Sequence, residues 1–408
     1  MAVEAILRKI LGLRRVDVDD WWTGFLLAVP GIAGSLASFL YFGAGLWAVF
    51  SIVIRRYPIC VPKQARPFVA ASLGYAFVLL LSSIANDGAA GILPGLTAGA
   101  PLYFIPLLIS RFVSSSARRA FETMCIYAPV GAILCLVPAL MQAFVLNRAV
   151  EGGAGNGAVF GFVSAILAAI SLTNANSGVL PVRILAWGGF LAGAGAIILS
   201  QSRSLYPVII LMPALCLYFL PRVEMRASKR PAVAVAVLIV IGGMLLWGRI
   251  SRDVLFSADE LSRIGGDPYS GSFGMRLELW KSAFRAIWEA PWIGHGQLHK
   301  MDMVISRVPE FMSYVEFSHA HNVWIDSAVG GGLPAALFVT FIFLSPFYLL
   351  KRSTARHVDP RVKYLISAMF LITVLNGLVN TLFTHDILSV IYLVPMIIML
   401  SRDDETPV

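Results

Sequence analysis

The sequence predicts an all-α polytopic membrane protein of about twelve transmembrane helices, with one large, partly helical loop. Three observations predict it. The 408 residues are 58% hydrophobic and only 13% charged, with a mean hydropathy of +0.78, well outside the range of soluble domains. The apolar residues gather in runs that can cross a bilayer, which takes about 20 residues per helix. These runs are continuous rather than alternating, which excludes a transmembrane β-barrel.

In order, the runs lie at 22–36, 37–54, 67–85, 91–110, 123–146, 157–173, 183–200, 204–220, 231–248, 322–350, 363–382 and 386–401. The first two form one unbroken stretch, Trp21–Ile54, which is too long for a single span. Pro30-Gly31 and Gly34 give it places to bend. Between the ninth and tenth runs lies a polar segment, 249–321, whereas every other gap is short. The chain therefore divides into 1–248 with nine helices, 249–321 as a loop domain with amphipathic helices, and 322–408 with three helices and a tail. No cleavable signal peptide is visible, since Arg8, Lys9, Arg14 and Arg15 precede an acidic patch and then a span. The four cysteines, Cys60, Cys125, Cys135 and Cys216, all lie outside the loop, which leaves it no disulfide framework and no cysteine-based zinc site.

The basic residues orient the chain. With the N-terminus inside, one face collects the groups at 8–15, 55–66, 111–119, 183, 222–230, 351–363 and 402, which hold 22 of the 32 Lys and Arg. The positive-inside rule assigns that face, and both chain ends, to the cytoplasm. The opposite face keeps Arg148, Arg203 and the loop's Arg249, Arg252, Arg263, Arg276, Lys281, Arg285, Lys300 and Arg307. The net charge of +9 is thus placed for membrane topology and for the loop, not for nucleic acid. A positive cluster on the extracytoplasmic side opposes the topological rule and calls for a function. ATP and nucleotide sugars are absent there, so group transfer needs a pre-activated, membrane-delivered donor.

Within the loop, Gly274–Ala290 carries Leu277, Trp280, Phe284, Ile287 and Trp288 at helical spacing. It predicts an amphipathic helix at the membrane surface, stopped by Pro291 and followed by the turn-rich Pro291–Gly296. Arg276 at its start would combine a helix N-terminus with a guanidinium, a good anion site. Arg203 lies in the short turn Gln201–Leu205 on the same face, and together the two could clamp a diphosphate. Arg249, Arg252, Trp280, Arg285 and Asn322 are further candidates for contact with pyrophosphate or glycan; arginine is ordinary at a span end, where Arg249 and Arg252 lie. His321-Asn322 closes the loop and opens the tenth run, with Gly330-Gly331-Gly332 further on, where the chain must bend or meet another helix. His319 and His321 would point apart on a helix. Asp326, about one turn from His321, could orient it, pair with an arginine, or be a plain helix-end carboxylate. His295, His299, His319 and His321 share the loop without a metal-ligand pattern such as HExxH, so no metal is expected. No G-x-S-x-G elbow supports a serine hydrolase.

Three motifs in this order and topology resemble the O-antigen ligases, within the superfamily of O-antigen ligases and polymerases. They are Ser202-Arg203-Ser204, Arg276-Leu277-Glu278-Leu279-Trp280 leading to Pro291…Gly294-His295-Gly296, and His321-Asn322 followed by nine residues and Gly332. The first departs from the family's usual Ser-Arg-Gly at Ser204. The resemblance covers most of the chain. It implies a multi-pass protein of the bacterial inner membrane, with a periplasmic active site and a glycosyltransferase fold of the GT-C type. The implied reaction ligates glycan from undecaprenyl-pyrophosphate-linked O-antigen onto the outer-core sugar of lipid A–core. The family's enzymes look inverting and metal-independent, with no cofactor. On that reading His321 is the general base, and Arg203 and Arg276 stabilise the departing pyrophosphate. Polymerases and protein O-oligosaccharyltransferases of the same superfamily share the donor. Polymerases carry an Arg-x₁₀-Gly pattern that Arg285…Gly296 fits once, but their usual two sizeable loops are not found. A lipid-linked glycan flippase, from another class, would put charges mid-span and show internal repeats; no repeat is visible.

Overall fold

In the computed structural model the described residues are 18–54, 58–115, 117–220, 251, 259, 271–312, 315–352 and 358–402, and all regular structure among them is helical. The ninth apolar run, the basic N-terminal group, Arg249, Arg252 and Arg263 lie outside the described residues. Helices α1 (Val18–Ala28) and α2 (Gly34–Val53) are separated where the sequence offers Pro30-Gly31. The turn is pinned by Gly34 N–H donating to the Gly153 carbonyl and Gly153 N–H donating to that of Gly31.

Helix α3 (Arg66–Asp87) is followed by α4 (Ile92–Tyr103) and α5 (Ile105–Ser115), then α6 (Ala117–Leu140), which runs into a π turn at Met141–Val145. The fourth apolar run is thus broken, at Phe104 between Pro101 and Pro106, where the Tyr41 hydroxyl donates to the Pro101 carbonyl at 2.7 Å. Next come α7 (Gly157–Ser171), capped by Asn156, α8 (Leu180–Leu199) and α9 (Tyr206–Phe219). The loop segment supplies α10 (Gly271–Glu289) and α11 (Gly296–Ile305). The chain continues as α12 (Val323–Leu344), α13 (Phe347–Arg352), α14 (Pro360–Gly377) and α15 (Asp386–Leu400).

Six helical stretches among the described residues are long and apolar enough to cross a membrane, making this a multi-pass protein. The expected twelve are not recovered as separate spans. α3 to α5 form one stretch, while α9 and α15 are shorter apolar helices. Helix α7 is buried throughout Val159–Ser171 and packs against α6, α8, α14 and α15; α15 is likewise buried throughout Ile387–Leu400. A smaller second core joins the loop segment to the bundle, with Leu279, Ala283 and Ala286 of α10 meeting Val304, Met312, Ala320 and Val329.

The decisive local feature is a break inside α12. Gly331 (φ −133°) and Gly332 (φ 71°, ψ −178°) leave the helical region, and Pro334 follows. Backbone groups freed at membrane depth must be satisfied by protein. Here the Pro291–Gly296 loop does this: Leu333 N–H donates to the Pro291 carbonyl at 2.7 Å and His295 N–H donates to that of Val329 at 2.8 Å. From α3, Ser82 Oγ donates to the Gly330 carbonyl at 2.7 Å and accepts from Gly296 N–H at 3.1 Å. Asn86 Nδ2 donates to the Gly294 carbonyl at 3.1 Å.

Two of these glycines have no substitute. A Cβ on Gly332 would sit 2.6 Å from the Trp292 carbonyl, in a φ/ψ region that only glycine occupies, and a Cβ on Gly294 (φ 73°) would sit 2.5 Å from Gly332 N. Gly332→Ala should therefore lower the melting temperature of the detergent-solubilised protein sharply, backbone strain alone costing about 1–3 kcal/mol. Gly178→Ala, where a Cβ meets nothing within 4 Å, should leave it unchanged. Equal melting of the two variants would remove the interlock from this account.

Candidate active site around a histidine turn

Residues 315–322, between the loop helices and α12, are not helical, and this overturns the expectation that His319 and His321 point apart. His321 adopts φ 50°, which folds its N–H back onto His319 Nδ1 at 3.1 Å and brings the two ring centroids within 4.1 Å. His385, just before α15, joins them with its ring 5.4 Å from that of His319. His385 lies outside the large loop, in the short connection between the last two apolar runs, and no sequence motif points to it. His295 and His299 are engaged elsewhere: His295 Nε2 lies 2.8 Å from the Ala286 carbonyl, and His299 Nδ1 lies 2.9 Å from Asp302 Oδ2.

The turn is clamped on both sides. Trp280 Nε1 donates to the Ala320 carbonyl at 2.9 Å, and Ala320 N–H donates to Asp326 Oδ1 at 3.0 Å. Asn322 caps α12, accepting from the N–H groups of Trp324 and Ile325, while its Nδ2 donates to the Leu378 carbonyl at 3.2 Å. Both ends of that amide bond the backbone, so Asn322 orders the turn.

Helix α10 starts at Gly271, so Arg276 sits in its second turn. The expected contribution of a helix N-terminus does not apply, because that field fades within the first turn. Arg276 shares its helix face with Trp280, one turn on, and acts electrostatically on both His319 and His321. Arg285, nine residues after Arg276, emerges on the opposite side and is exposed beside Phe284 and Trp288. The predicted apolar stripe also divides: Leu279, Ala283, Ala286 and Ile287 are buried, whereas Phe284 and Trp288 face outward. Arg203 opens a 3-10 turn, Arg203–Leu205, that packs against α14 and α7. Since Asn322 also bonds the end of α14 at Leu378, that helix is common to the Arg203 turn and the histidine turn.

Asp326 does not pair with an arginine. Its partner is Lys300 of α11, with Nζ 2.7 Å from Oδ2 and both side chains buried; Thr384 Oγ1 donates to the same oxygen at 3.2 Å. Beside this pair lies a cavity of about 570 Å³ lined by both apolar residues, among them Phe42, Leu79, Pro101 and Phe383, and polar ones, among them Tyr75, Gln297, Lys300, Asp326 and Thr384.

Burial, more than any charge, holds the histidines neutral. It pushes His319 down to about 4, with His385, Lys300 and Arg276 adding to the effect and Asp326 opposing it. It pushes His321 down to about 3, helped by His319, Arg276 and His385 and again opposed by Asp326. His321 therefore takes a proton only well below the ordinary histidine range. What the cluster offers is a neutral imidazole beside a guanidinium, suited to accepting a proton once an anion neutralises the arginine.

A broken span packed against a basic, histidine-bearing loop defines the class: a multi-pass membrane protein with a candidate site where loop meets helix end. Residues 188–340 match the family model of the O-antigen ligases, the family that the three motifs resemble. The match encloses Arg203, Arg276, His321 and Gly332. A protein of Haemophilus influenzae, described only as uncharacterized, is 25% identical over 340 residues, covering 73% of this chain and 76% of that protein.

The depressed histidines imply a pH dependence of stability. The unfolded chain binds protons near the ordinary histidine value, whereas the folded state takes them only near 4 and 3. Stability should therefore fall as pH drops from about 6.5 towards 4. Melting curves at pH 7 and 4.5 should show a larger drop for the wild type than for His319→Gln/His321→Gln; equal drops would contradict the buried neutral assignment.

Proposed function

We propose that this chain is a glycosyltransferase that ligates O-antigen from undecaprenyl pyrophosphate onto the outer-core sugar of lipid A–core, at the periplasmic face of the inner membrane. The observation that carries the reading is the pairing of His319 and His321 in a turn clamped by Trp280 and Asp326, within a segment that matches the O-antigen ligase family model. The cavity beside the Lys300–Asp326 pair has both apolar and polar residues in its lining, which suits an amphiphilic substrate.

In this mechanism the acceptor hydroxyl attacks the anomeric carbon from the face opposite the pyrophosphate. Its proton passes to His321, the bond from C1 to the pyrophosphate oxygen breaks, and the anomeric configuration inverts. Undecaprenyl pyrophosphate leaves with the bonding electrons, and Arg276 and Arg203 stabilise its charge. His321 suits the base role better than His319, because His319 Nδ1 already accepts from the backbone and its ring is the more buried. The donor's negative charge offsets Arg276, raising the proton affinity of His321 when it is needed. The reaction needs no metal or nucleotide, since a pyrophosphate ester is already a good leaving group.

The broken α12 and the buried Lys300–Asp326 pair are also features of transporters, so the test must separate transfer from transport. Purified protein mixed with undecaprenyl-pyrophosphate glycan and lipid A–core, without nucleotide and with chelator, should yield ligated product. Lengthened donor alone would mark a polymerase, and movement of donor across a vesicle without bond exchange would mark a flippase. Arg276→Ala should lose about 10²–10³ in rate and His321→Ala about 10²–10⁴, at equal membrane levels. Arg276→Lys should recover only part, because lysine lacks the planar fork. For orientation, a cysteine at exposed Ser306 should react with an impermeant thiol reagent in intact spheroplasts, while the native, exposed Cys60 should react only after lysis. The reverse pattern would invert the topology.

A further inference from the structure

One carboxylate ties together every segment that bears a histidine of the cluster. Asp326, in the first turns of α12, accepts Ala320 N–H on Oδ1 at 3.0 Å, and Ala320 is the residue between His319 and His321. Its Oδ2 accepts Lys300 Nζ from α11 at 2.7 Å and the hydroxyl of Thr384, immediately before His385, at 3.2 Å. Trp280 grips the other side of the Ala320 residue. This matters because His321 holds φ 50°, a left-handed conformation that is uncommon outside glycine and persists where the surroundings over-determine it.

We infer that Asp326, charge-paired with Lys300, is the positioning residue of this site, setting the His319–Ala320–His321 turn against His385 so that His321 faces the acceptor hydroxyl. The inference rests on the glycosyl-transfer reading given above. An uncharged amide cannot replace the carboxylate: asparagine keeps one acceptor oxygen for three donors and turns its own NH₂ towards a buried ammonium. The charge also has a direct effect. His321 is faced by His319 on its own turn, by Arg276 on α10 and by His385 ahead of α15. Asp326 is the anion that opposes them, while Lys300 on α11 acts on His319.

The test compares Asp326→Ala, Asp326→Glu and Asp326→Asn/Lys300→Met with wild type at saturating donor, after membrane level and melting temperature are checked. The double variant removes the orphaned ammonium and so keeps the fold. Asp326→Ala should lower kcat about 10²-fold, the scale of a misplaced catalytic group, with the KM for donor little changed. In the double variant the acid limb of the kcat–pH profile should move to lower pH, because the group that favours imidazolium is gone. Asp326→Glu should regain part of the rate. A folded double variant with wild-type kcat and a wild-type acid limb would overturn the inference. If the wild type itself transfers no glycan, that counts against the glycosyl-transfer reading. The imidazole resonances of histidine-labelled protein then decide separately, and spectra identical in wild type and Asp326→Asn would overturn the positioning role.

Discussion

Everything at the site depends on how the broken backbone of α12 is satisfied. Hydrocarbon offers no hydrogen bonds, so a span can depart from helix only where protein supplies partners. Two glycine-bearing segments solve this jointly: Pro291–Gly296 enters the gap opened at Gly331-Gly332, and Ser82 of α3 completes the bonding. The close approach of Gly294 to Gly332 allows no side chain between them. This anchors the loop segment to the bundle. α10 and α11 hang from the anchor, and their packed face carries Arg276, Trp280 and Lys300 to the N-terminal half of α12, where the histidine turn lies.

That placement makes the electrostatics unusual. A buried ion pair such as Lys300–Asp326 is weak evidence for stability, since desolvation of both groups opposes their attraction. Its geometry is more informative, because it spends the carboxylate's acceptor capacity on the turn and on the approach to His385. The histidines meanwhile stay neutral in a buried site that also contains a guanidinium. Such an arrangement is poor at taking a proton when empty and improves when a polyanion arrives. On the proposed reading, donor binding and base activation would thereby be coupled.

The helical segments were legible in the sequence because apolar runs of spanning length leave a membrane chain few alternatives. The bend near Pro30-Gly31 and the shaped position at Gly330–Gly332 were legible from residue type. What the sequence concealed was tertiary in origin. His319 and His321 come together because His321 takes a left-handed φ, which the residues around it do not signal. Lys300 and Thr384 find Asp326 across long sequence separations. His385 sits in a short connection that composition gave no reason to single out. Arg276 looked like a helix start because Gly274 precedes it, yet Gly271–Phe273 extend the helix by most of a turn. Arg285 shares a helix with Arg276 but, at that spacing, emerges on its far side.

The central claim is that the donor's pyrophosphate lies against Arg276 and raises the proton affinity of His321. Its most direct test is an NMR titration of histidine-labelled protein in detergent, with and without undecaprenyl pyrophosphate, in wild type and Arg276→Ala. The account predicts that the His321 imidazole titrates well below the ordinary histidine range when the site is empty. Its titration should move upward when pyrophosphate binds. In Arg276→Ala the empty-site value should already be higher and the ligand-induced rise smaller. A His321 titration that pyrophosphate leaves unmoved in wild type would contradict the account.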